Sequence, residues 1–182
     1  MLDATAEVLG CTLAELSSLA LEAPPGSDGV TMLPYLDGER TPTLPDATGS
    51  LLGLRRDNMT PANIARSAIE GILCGLAFGL DAARAQGADA RRLLLIGGAA
   101  RSPAVRAITA AVFGLDVVCP APAEYVAIGA ARQAAWALTG SLPDWPVAVD
   151  EVVPCVDPAV ADAVGAQHAM WRDVLHGVPP TD

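Results

Sequence analysis

A short run in the middle of the chain, LLLIGGAARSP from Leu93 to Pro103, joins an apolar stretch to two glycines and a serine–proline pair. Glycine lets the backbone come close to a ligand because it carries no Cβ. Ser102 and Pro103 are typical of a helix start, whose unpaired amides and positive dipole end favour anionic or hydrogen-bond-accepting groups. The run is a candidate nucleotide-binding turn, although a strand-to-helix turn can also use Gly97 and Gly98 for their dihedral angles alone.

A dinucleotide-binding turn fits these residues less well. Its G-x-G-x-x-G pattern would need glycine where Ala99 and Ser102 stand. No acidic residue closes the following apolar pair, Val117-Val118, to bind a ribose.

A polar loop offers a second candidate site, because Glu39, Arg40 and Thr41 place an anion, a cation and a hydroxyl side by side. Such a turn could contact a phosphate or a partner domain. A solvated loop with a local ion pair is the simpler interpretation and is favoured from the residues alone.

Two further residues are unusual for the helices in which they are predicted to lie. Glu70 stands in an apolar helical stretch, where it either faces solvent or accepts hydrogen bonds from a neighbouring loop, and helical phase does not decide between these. Gly129 costs about 1 kcal/mol relative to alanine inside a helix. Close approach by another helix or by a flat ligand would offset that cost, and packing is the plainer explanation.

Composition excludes several kinds of chemistry. All 11 basic residues are arginines, so no Walker A lysine, Schiff-base lysine or pyridoxal site is present. With 21 acidic residues the formal net charge is -10, which disfavours nucleic acid and anionic membrane surfaces as partners. The 4 cysteines form no C-x-x-C pair, are expected to be reduced and mostly buried, and predict no metal site. The 2 histidines, His168 and His176, fall on what is predicted to be a peripheral helix, which disfavours a Ser-His-Asp triad.

The elements that must position these candidates alternate along the chain. Apolar residues at helical spacing, with caps and breakers, predict helices at 3–9, from Thr12, and at 60–85, 102–113, 124–138 and 158–175. Shorter apolar runs predict strands at 30–33, 51–54, 93–96 and 117–118, of which the run 93–96 suits a strand buried on both faces. This order predicts an α/β fold.

Residues 1–140 are expected to form one domain, and 141–182 a linker and a terminal helix packed on it. No apolar stretch reaches the roughly 20 residues of a bilayer-spanning helix. The amino terminus also lacks the basic residues of a secretory signal, so a cytoplasmic location is predicted.

Taken together, the segments resemble the carboxy-terminal half of the FGGY family of carbohydrate kinases. The second family signature appears as GSLLGL at 49–54 followed, after eight residues, by NIARSAIEG at 63–71. The segment LPYLDGERTP at 33–42 is similar to the branch of the family that phosphorylates D-xylulose. The stretches that begin LLLIGGAARSP and EYVAIGAAR, the latter from Glu124, are similar to the family's adenosine-binding strand, loop and helix.

The resemblance, which runs from about Leu2 to Gly140, implies an actin-like ATPase (ribonuclease H-like) domain with a central mixed sheet flanked by helices. It implies ATP and Mg²⁺ as cofactors. For the nucleotide, the resemblance implies adenine and ribose contacts at Gly98 and Ser102, in a loop shaped by Gly97 and Ala99. It also implies that Glu39, Arg40 and Thr41 form a loop facing the cleft. Glu70 and Gly71 would have a structural or cleft-supporting role.

In this family the sugar pocket and the general-base aspartate belong largely to the amino-terminal domain, which no segment here resembles. No catalytic residue is therefore expected in this chain, which is interpreted as a fragment, a separately encoded half or a truncated product, inactive alone. The expected partners are the amino-terminal kinase domain, ATP and a ketose. The alternative is a non-catalytic nucleotide-binding or assembly module, and the oligomeric state, a homodimer included, is left open.

Overall fold

The computed structural model describes residues 1–155 and 157–177. In chain order the elements are α1 (Leu2–Leu9), α2 (Leu13–Glu22), β1 (Thr31–Leu33), β2 (Ser50–Leu52), α3 (Pro61–Ala85), β3 (Leu93–Leu94), α4 (Pro103–Phe113), β4 (Val117–Pro120), α5 (Tyr125–Thr139), β5 (Val149–Val153) and α6 (Pro158–His176). The predicted α/β class is confirmed. Position 156 and positions 178–182, which belong to the predicted tail 141–182, lie outside the described residues.

Local sequence signals account for where the helices begin and end. Thr12 and Glu15 form the predicted capping box, in which the Glu15 carboxylate accepts the Thr12 amide at 2.8 Å and the Thr12 hydroxyl accepts the Glu15 amide at 3.3 Å. The hydroxyl of Thr60 caps α3 by accepting the Asn63 amide at 3.2 Å. Helix α1 ends at Gly10, whose φ of 66° is a left-handed conformation that glycine adopts without strain.

Helix α3 forms the centre of the domain and packs against α2, α4 and β1. Its buried face carries Ala65, Ile69 and Leu73, which meet Leu16 of α2 and Ile108 of α4 in the main core cluster. By length and composition alone α3 could cross a bilayer, yet 56% of its most apolar window is buried inside the fold. Burial of that kind is typical of the core helix of a globular domain.

The strands form two separate sheets. One is the antiparallel pair β1–β2, and the other has the order β3-β4-β5, with β3 and β4 parallel and β4 and β5 antiparallel. Strand β5 was not predicted, and it makes the stretch after Gly140 part of the sheet as well as a connection. The mixed pairing expected from the family resemblance is present in the second sheet.

The prediction that the run 93–96 is buried on both faces is wrong. Leu93, Val117 and Val153 pack beside the buried Ala110 of α4 on one side of the sheet. On the other side Leu94 is 54% exposed and Ile96 is 49% exposed. None of the described residues covers this second face, because α5, the helix that follows β4, buries none of its own residues.

The last helix packs on the domain more closely than its description as peripheral implies. Helix α6 packs against β1, α3 and α4, and its residues His168 and Arg172 are buried. The Gln167 side-chain amide donates to the Gly26 carbonyl at 3.0 Å and to the Thr31 hydroxyl at 2.8 Å. These contacts attach α6 to the first half of the chain.

Burial of His168 makes stability depend on pH in a specific direction. Burial lowers the pKa of His168 from an ordinary value of 6.5 to about 4, and the positive charge of Arg172 lowers it further. Between these values the unfolded chain binds more protons than the folded one, so stability is lost as the pH falls. We expect the free energy of unfolding to drop by up to about 3 kcal/mol between pH 6.5 and pH 4.

Urea unfolding across this pH range measures the effect. The variant His168→Gln, which carries no titrating group at this position, should show a clearly smaller slope of stability against pH than the parent chain. Equal slopes in the two proteins would show that His168 does not titrate as its burial implies.

Candidate functional site

The glycine turn after β3 presents an open backbone surface. Gly97 has a φ of 100°, and residues Gly98–Arg101 form a single 3₁₀ turn that leads into α4. A Cβ built on Gly97 or on Gly98 would meet no atom of residues 1–155 and 157–177 within 4 Å, so these residues leave the space beside both glycines empty. The left-handed φ lies at Gly97, whereas Gly98 has an ordinary φ. Any demand for glycine at position 98 therefore comes from what occupies that space, not from the backbone.

Ser102 connects this turn to α4 and is partly committed to that role. Its hydroxyl accepts the Val105 amide at 3.3 Å and donates to the Ser17 hydroxyl of α2 at 2.9 Å. The Ser17 hydroxyl also accepts the Ala104 amide at 3.1 Å. Since a hydroxyl has one donor and two acceptor positions, Ser102 keeps one acceptor position for a ligand. Ala99, beside it, is exposed and leaves the turn accessible.

Arg106, at the start of α4, contacts the glycine turn through the Ala100 carbonyl. Its Nε donates to the Ala100 carbonyl at 2.6 Å. Its Nη1 lies 3.1 Å from an Asp150 oxygen and 2.8 Å from a Glu151 oxygen, both on β5. The hydrogen bond to Glu151, and to a smaller extent the one to Asp150, raises the pKa of Arg106 above its already high ordinary value. One guanidinium thus joins the turn to the strand that the sequence had not predicted.

A cavity of about 260 Å³ lies alongside α5. Because β3 and β4 are parallel neighbours, their carboxyl ends lie at the same sheet edge, which is where open α/β sheets bind ligands. The glycine turn follows one of these strands, and Ala121, at the cavity, follows the other. Tyr125 of α5 and Trp145 of the following segment supply aromatic rings, which suit a flat apolar group.

Gly129 of α5 also lines this cavity. A Cβ built on it would meet nothing within 4 Å, so no other helix in the described part of the chain approaches it closely. Of the two explanations offered for this glycine, helix packing within the chain does not apply.

The loop with Glu39, Arg40 and Thr41 forms a self-contained turn. The Glu39 carboxylate accepts the amide of Arg40 at 2.7 Å and the amide of Thr41 at 3.0 Å. The side chains of Arg40 and Thr41 are exposed, and the described residues give Arg40 no ion-pair partner. Glu39 thus shapes the turn instead of pairing with its neighbour, and no hydrogen bond within the described chain joins this loop to the glycine turn.

Glu70 is buried and fully engaged, which decides between its two interpretations. Its carboxylate accepts the Gly26 amide at 3.0 Å, the Ser27 hydroxyl at 2.9 Å and the Arg66 Nε at 2.7 Å. Next to it, a Cβ on Gly71 would lie 2.2 Å from the Met32 carbonyl oxygen, so only glycine lets β1 approach α3. The Glu70-Gly71 pair supports the fold, and the described contacts give it no part in a cleft.

A larger groove of about 400 Å³ between α3, α4 and α6 lies apart from the glycine turn. Four of its charged residues form two ion pairs: Arg84 with Asp81 at 3.1 Å, and Arg172 with Asp173 at 2.8 Å. Burial raises the pKa of the Cys74 thiol in this groove to about 12, so that thiol stays protonated and unreactive. We assign this groove no ligand.

The sequence identified the turn but missed the residues behind it. The signal for β5 was present, since apolar residues flank Asp150 and Glu151 between two prolines, Pro146 and Pro154. Arg106 gave no signal, because its role depends on a strand 44 and 45 residues further along the chain. The described residues contain no group of three or more His, Cys, Asp or Glu side chains placed to hold a metal ion.

Comparison with known proteins adds an independent line of evidence. The model of the FGGY family of carbohydrate kinases, C-terminal domain, matches residues 3–138. The chain is 41% identical over 130 residues to a xylulose kinase of Haemophilus influenzae, which covers 71% of this chain and 26% of that protein. It is 42% identical over 160 residues to a xylulose kinase of Streptomyces rubiginosus, covering 82% of this chain and 33% of that protein.

Solved structures agree with this similarity. The crystal structure of xylulose kinase from Bifidobacterium adolescentis superposes with a TM-score of 0.80 and 43% identity, over 94% of this chain and 34% of that one. The chain thus spans between a quarter and a third of the length of these relatives. The match includes the glycine turn and α5, and the superposition extends into the tail that the family model leaves out.

Proposed function

The chain belongs to the FGGY family of carbohydrate kinases as its carboxy-terminal domain, and from this premise we propose that it is the ATP-binding half of a kinase that transfers the γ-phosphoryl group to a sugar hydroxyl. The observation that carries the proposal is the open turn at Gly97 and Gly98: no atom of the described residues lies within 4 Å of a Cβ built on either glycine. The turn, together with Ala99 and Ser102, would contact the adenosine end of the nucleotide.

The cavity next to α5 suits the base. It lies at the same sheet edge as the turn, and its lining includes the rings of Tyr125 and Trp145 and the bare backbone of Gly129. A flat heteroaromatic ring gains from stacking on such side chains, while the open turn leaves room for ribose and phosphates. Phosphoryl transfer depends mainly on positioning and charge neutralisation, so a half that only orients the nucleotide still makes a large contribution.

We propose D-xylulose as the acceptor sugar. Both named relatives and the superposed crystal structure are xylulose kinases, at 41–43% identity. The residues Glu39, Arg40 and Thr41 stand in a segment similar to that branch of the family, and the exposed side chains of Arg40 and Thr41 are available to face a cleft. We propose that this loop faces the sugar cleft only in the complete kinase, because the rest of the cleft belongs to the amino-terminal part.

The partner is the amino-terminal part of the kinase. Two features of the described chain support this: the relatives extend well beyond the matched part, and one apolar face of the β3-β4-β5 sheet, with Leu94 and Ile96, is uncovered. A sheet with a parallel pair is normally covered on both faces. We assign Mg²⁺ no ligand in this chain, since its described residues offer no cluster of acidic side chains to hold the ion. The cytoplasmic location stays a prediction.

Titration of ADP or ATP into the isolated chain tests the nucleotide half of the proposal. We expect a weak heat of binding that saturates with added nucleotide. Most ligand sites bury roughly 70–90% of the ligand surface, and one wall of a cleft buries less than that. Circular dichroism on the same sample confirms that the chain is folded. Folded chain that gives no heat at millimolar nucleotide would count against the assignment.

A further inference from the structure

We propose that Arg106 is a positioning residue that keeps the glycine turn in its nucleotide-receiving shape by tying it to β5. The inference rests on the proposed function, since it assigns a role to a residue behind the same turn. Arg106 does not face the open side of Gly97 and Gly98. It acts through the Ala100 carbonyl, and it recruits Asp150 and Glu151 from a strand beyond the residues that the family model matches, 3–138.

The geometry uses most of the guanidinium. Its Nε donates to Ala100 at 2.6 Å, a short contact at the inner side of the 3₁₀ turn. Its Nη1 donates to Asp150 at 3.1 Å and to Glu151 at 2.8 Å. The Arg106 side chain is only 18% exposed, so its direction is set by surrounding atoms. Arginine suits this position because its planar fork offers several donors in fixed directions, whereas lysine offers a single point charge.

The turn needs such support because little else fixes it. Gly97 and Gly98 are exposed, and among the described residues no atom lies within 4 Å of a Cβ built on either. The turn has two internal backbone hydrogen bonds, from the Ala100 amide to the Gly97 carbonyl at 3.3 Å and from the Ser102 amide to the Ala99 carbonyl at 3.0 Å. Its attachments to the rest of the domain are the buried Ala100 methyl, the cap at Ser102 and the contact with Arg106. Removing Arg106 takes away the side-chain hydrogen bond to the middle of the turn and leaves only the buried Ala100 methyl there.

A role in positioning differs from a role in stability. The Asp150 and Glu151 side chains are 48% and 49% exposed, and ion pairs with such partners contribute little to stability. What these carboxylates do is hold the guanidinium in the direction in which Nε meets Ala100. We therefore expect changes at this group to alter the turn and its ligand more than the melting temperature.

The test compares Arg106→Gln and Arg106→Lys with Arg84→Gln, which breaks a more exposed ion pair with Asp81 on α3, away from the turn. Affinity for ADP is measured by calorimetry, and hydrogen exchange at the amides of Ala100 and Ser102 is measured without nucleotide. We expect Arg106→Gln to weaken binding about fivefold, on the scale of one ordinary hydrogen bond lost, and to speed exchange at both amides. Arg106→Lys should fall between Arg106→Gln and the parent, and Arg84→Gln should change neither measurement.

The double variant Asp150→Asn with Glu151→Gln tests the group from its other end and keeps Arg106 in the chain. It should shift affinity and exchange in the same direction by a smaller amount, and adding Arg106→Gln to it should cost less than in the parent, because the residues act as one unit. Folded variants with parent affinity and parent exchange rates would overturn the proposal. If the parent itself binds no ADP, the proposed function fails, while the exchange rates still decide whether Arg106 orders the turn.

Discussion

Replacing Gly98 by valine should weaken ADP binding by about tenfold or more, because forcing a branched side chain into a fitted contact costs about 1–3 kcal/mol. The space beside Gly98 is empty in the protein, and its φ is ordinary, so valine neither collides with a neighbour nor strains the backbone there. The side chain would instead occupy the volume in which we place the nucleotide. The fold should be retained.

A graded series makes this prediction sharper. Gly98→Ala adds one methyl group and should weaken binding less than Gly98→Val does. Gly79→Val is the matched control, since Gly79 also has no atom within 4 Å of a built Cβ but lies on α3, outside the turn. If Gly98→Val binds ADP as the parent does, while its circular dichroism is unchanged, the glycine turn is only a turn.

The chain alone should show no measurable phosphorylation of D-xylulose, whereas a chimera that joins it to the complementary amino-terminal part of the Streptomyces rubiginosus xylulose kinase should be active. That enzyme is 42% identical over the matched 160 residues, so the two parts should fit across their shared surface. The physical reason is a division of labour: an oriented nucleotide transfers nothing until an acceptor hydroxyl and a general base are placed in line with it.

The assay is ADP release with D-xylulose and with glycerol, run on the chain, on the amino-terminal part and on the chimera. The chimera should prefer D-xylulose, since its sugar pocket comes from a xylulose kinase. A chimera in which the general-base aspartate of the grafted part is changed to asparagine should be folded and inactive. Robust turnover by the chain alone would show that a catalytic base lies within it, and the exposed Asp37 would then be the first residue to replace.

Much of the fold could be predicted because its signals are local. Thr12 with Glu15, and Thr60 with Pro61, mark helix starts through hydrogen bonds that span only three residues. The glycine turn was identified in the same way, since an apolar strand, two glycines and a capped helix start follow each other directly.

What could not be predicted depends on distant partners. Glu70 is buried because Gly26 and Ser27, 44 and 43 residues away, donate hydrogen bonds to it, and helical phase carries no trace of them. The exposed face of β3 reflects a missing partner. The sequence of the apolar run 93–96 predicts burial on both faces, but none of the described residues packs over one of them. In the proposed enzyme the remainder of the kinase supplies that partner.

The most direct test of the central claim is a titration of ¹⁵N-labelled chain with ADP, followed by amide chemical shifts. If the chain holds the adenosine end of the nucleotide, the largest shifts should fall on Gly97, Gly98, Ala99 and Ser102, with a second group on the residues of α5 that line its cavity. Amides on α1 and in the groove between α3 and α6 should stay in place. Saturating shifts confined to those other regions, or none at millimolar ADP in a well-dispersed spectrum, would contradict the account.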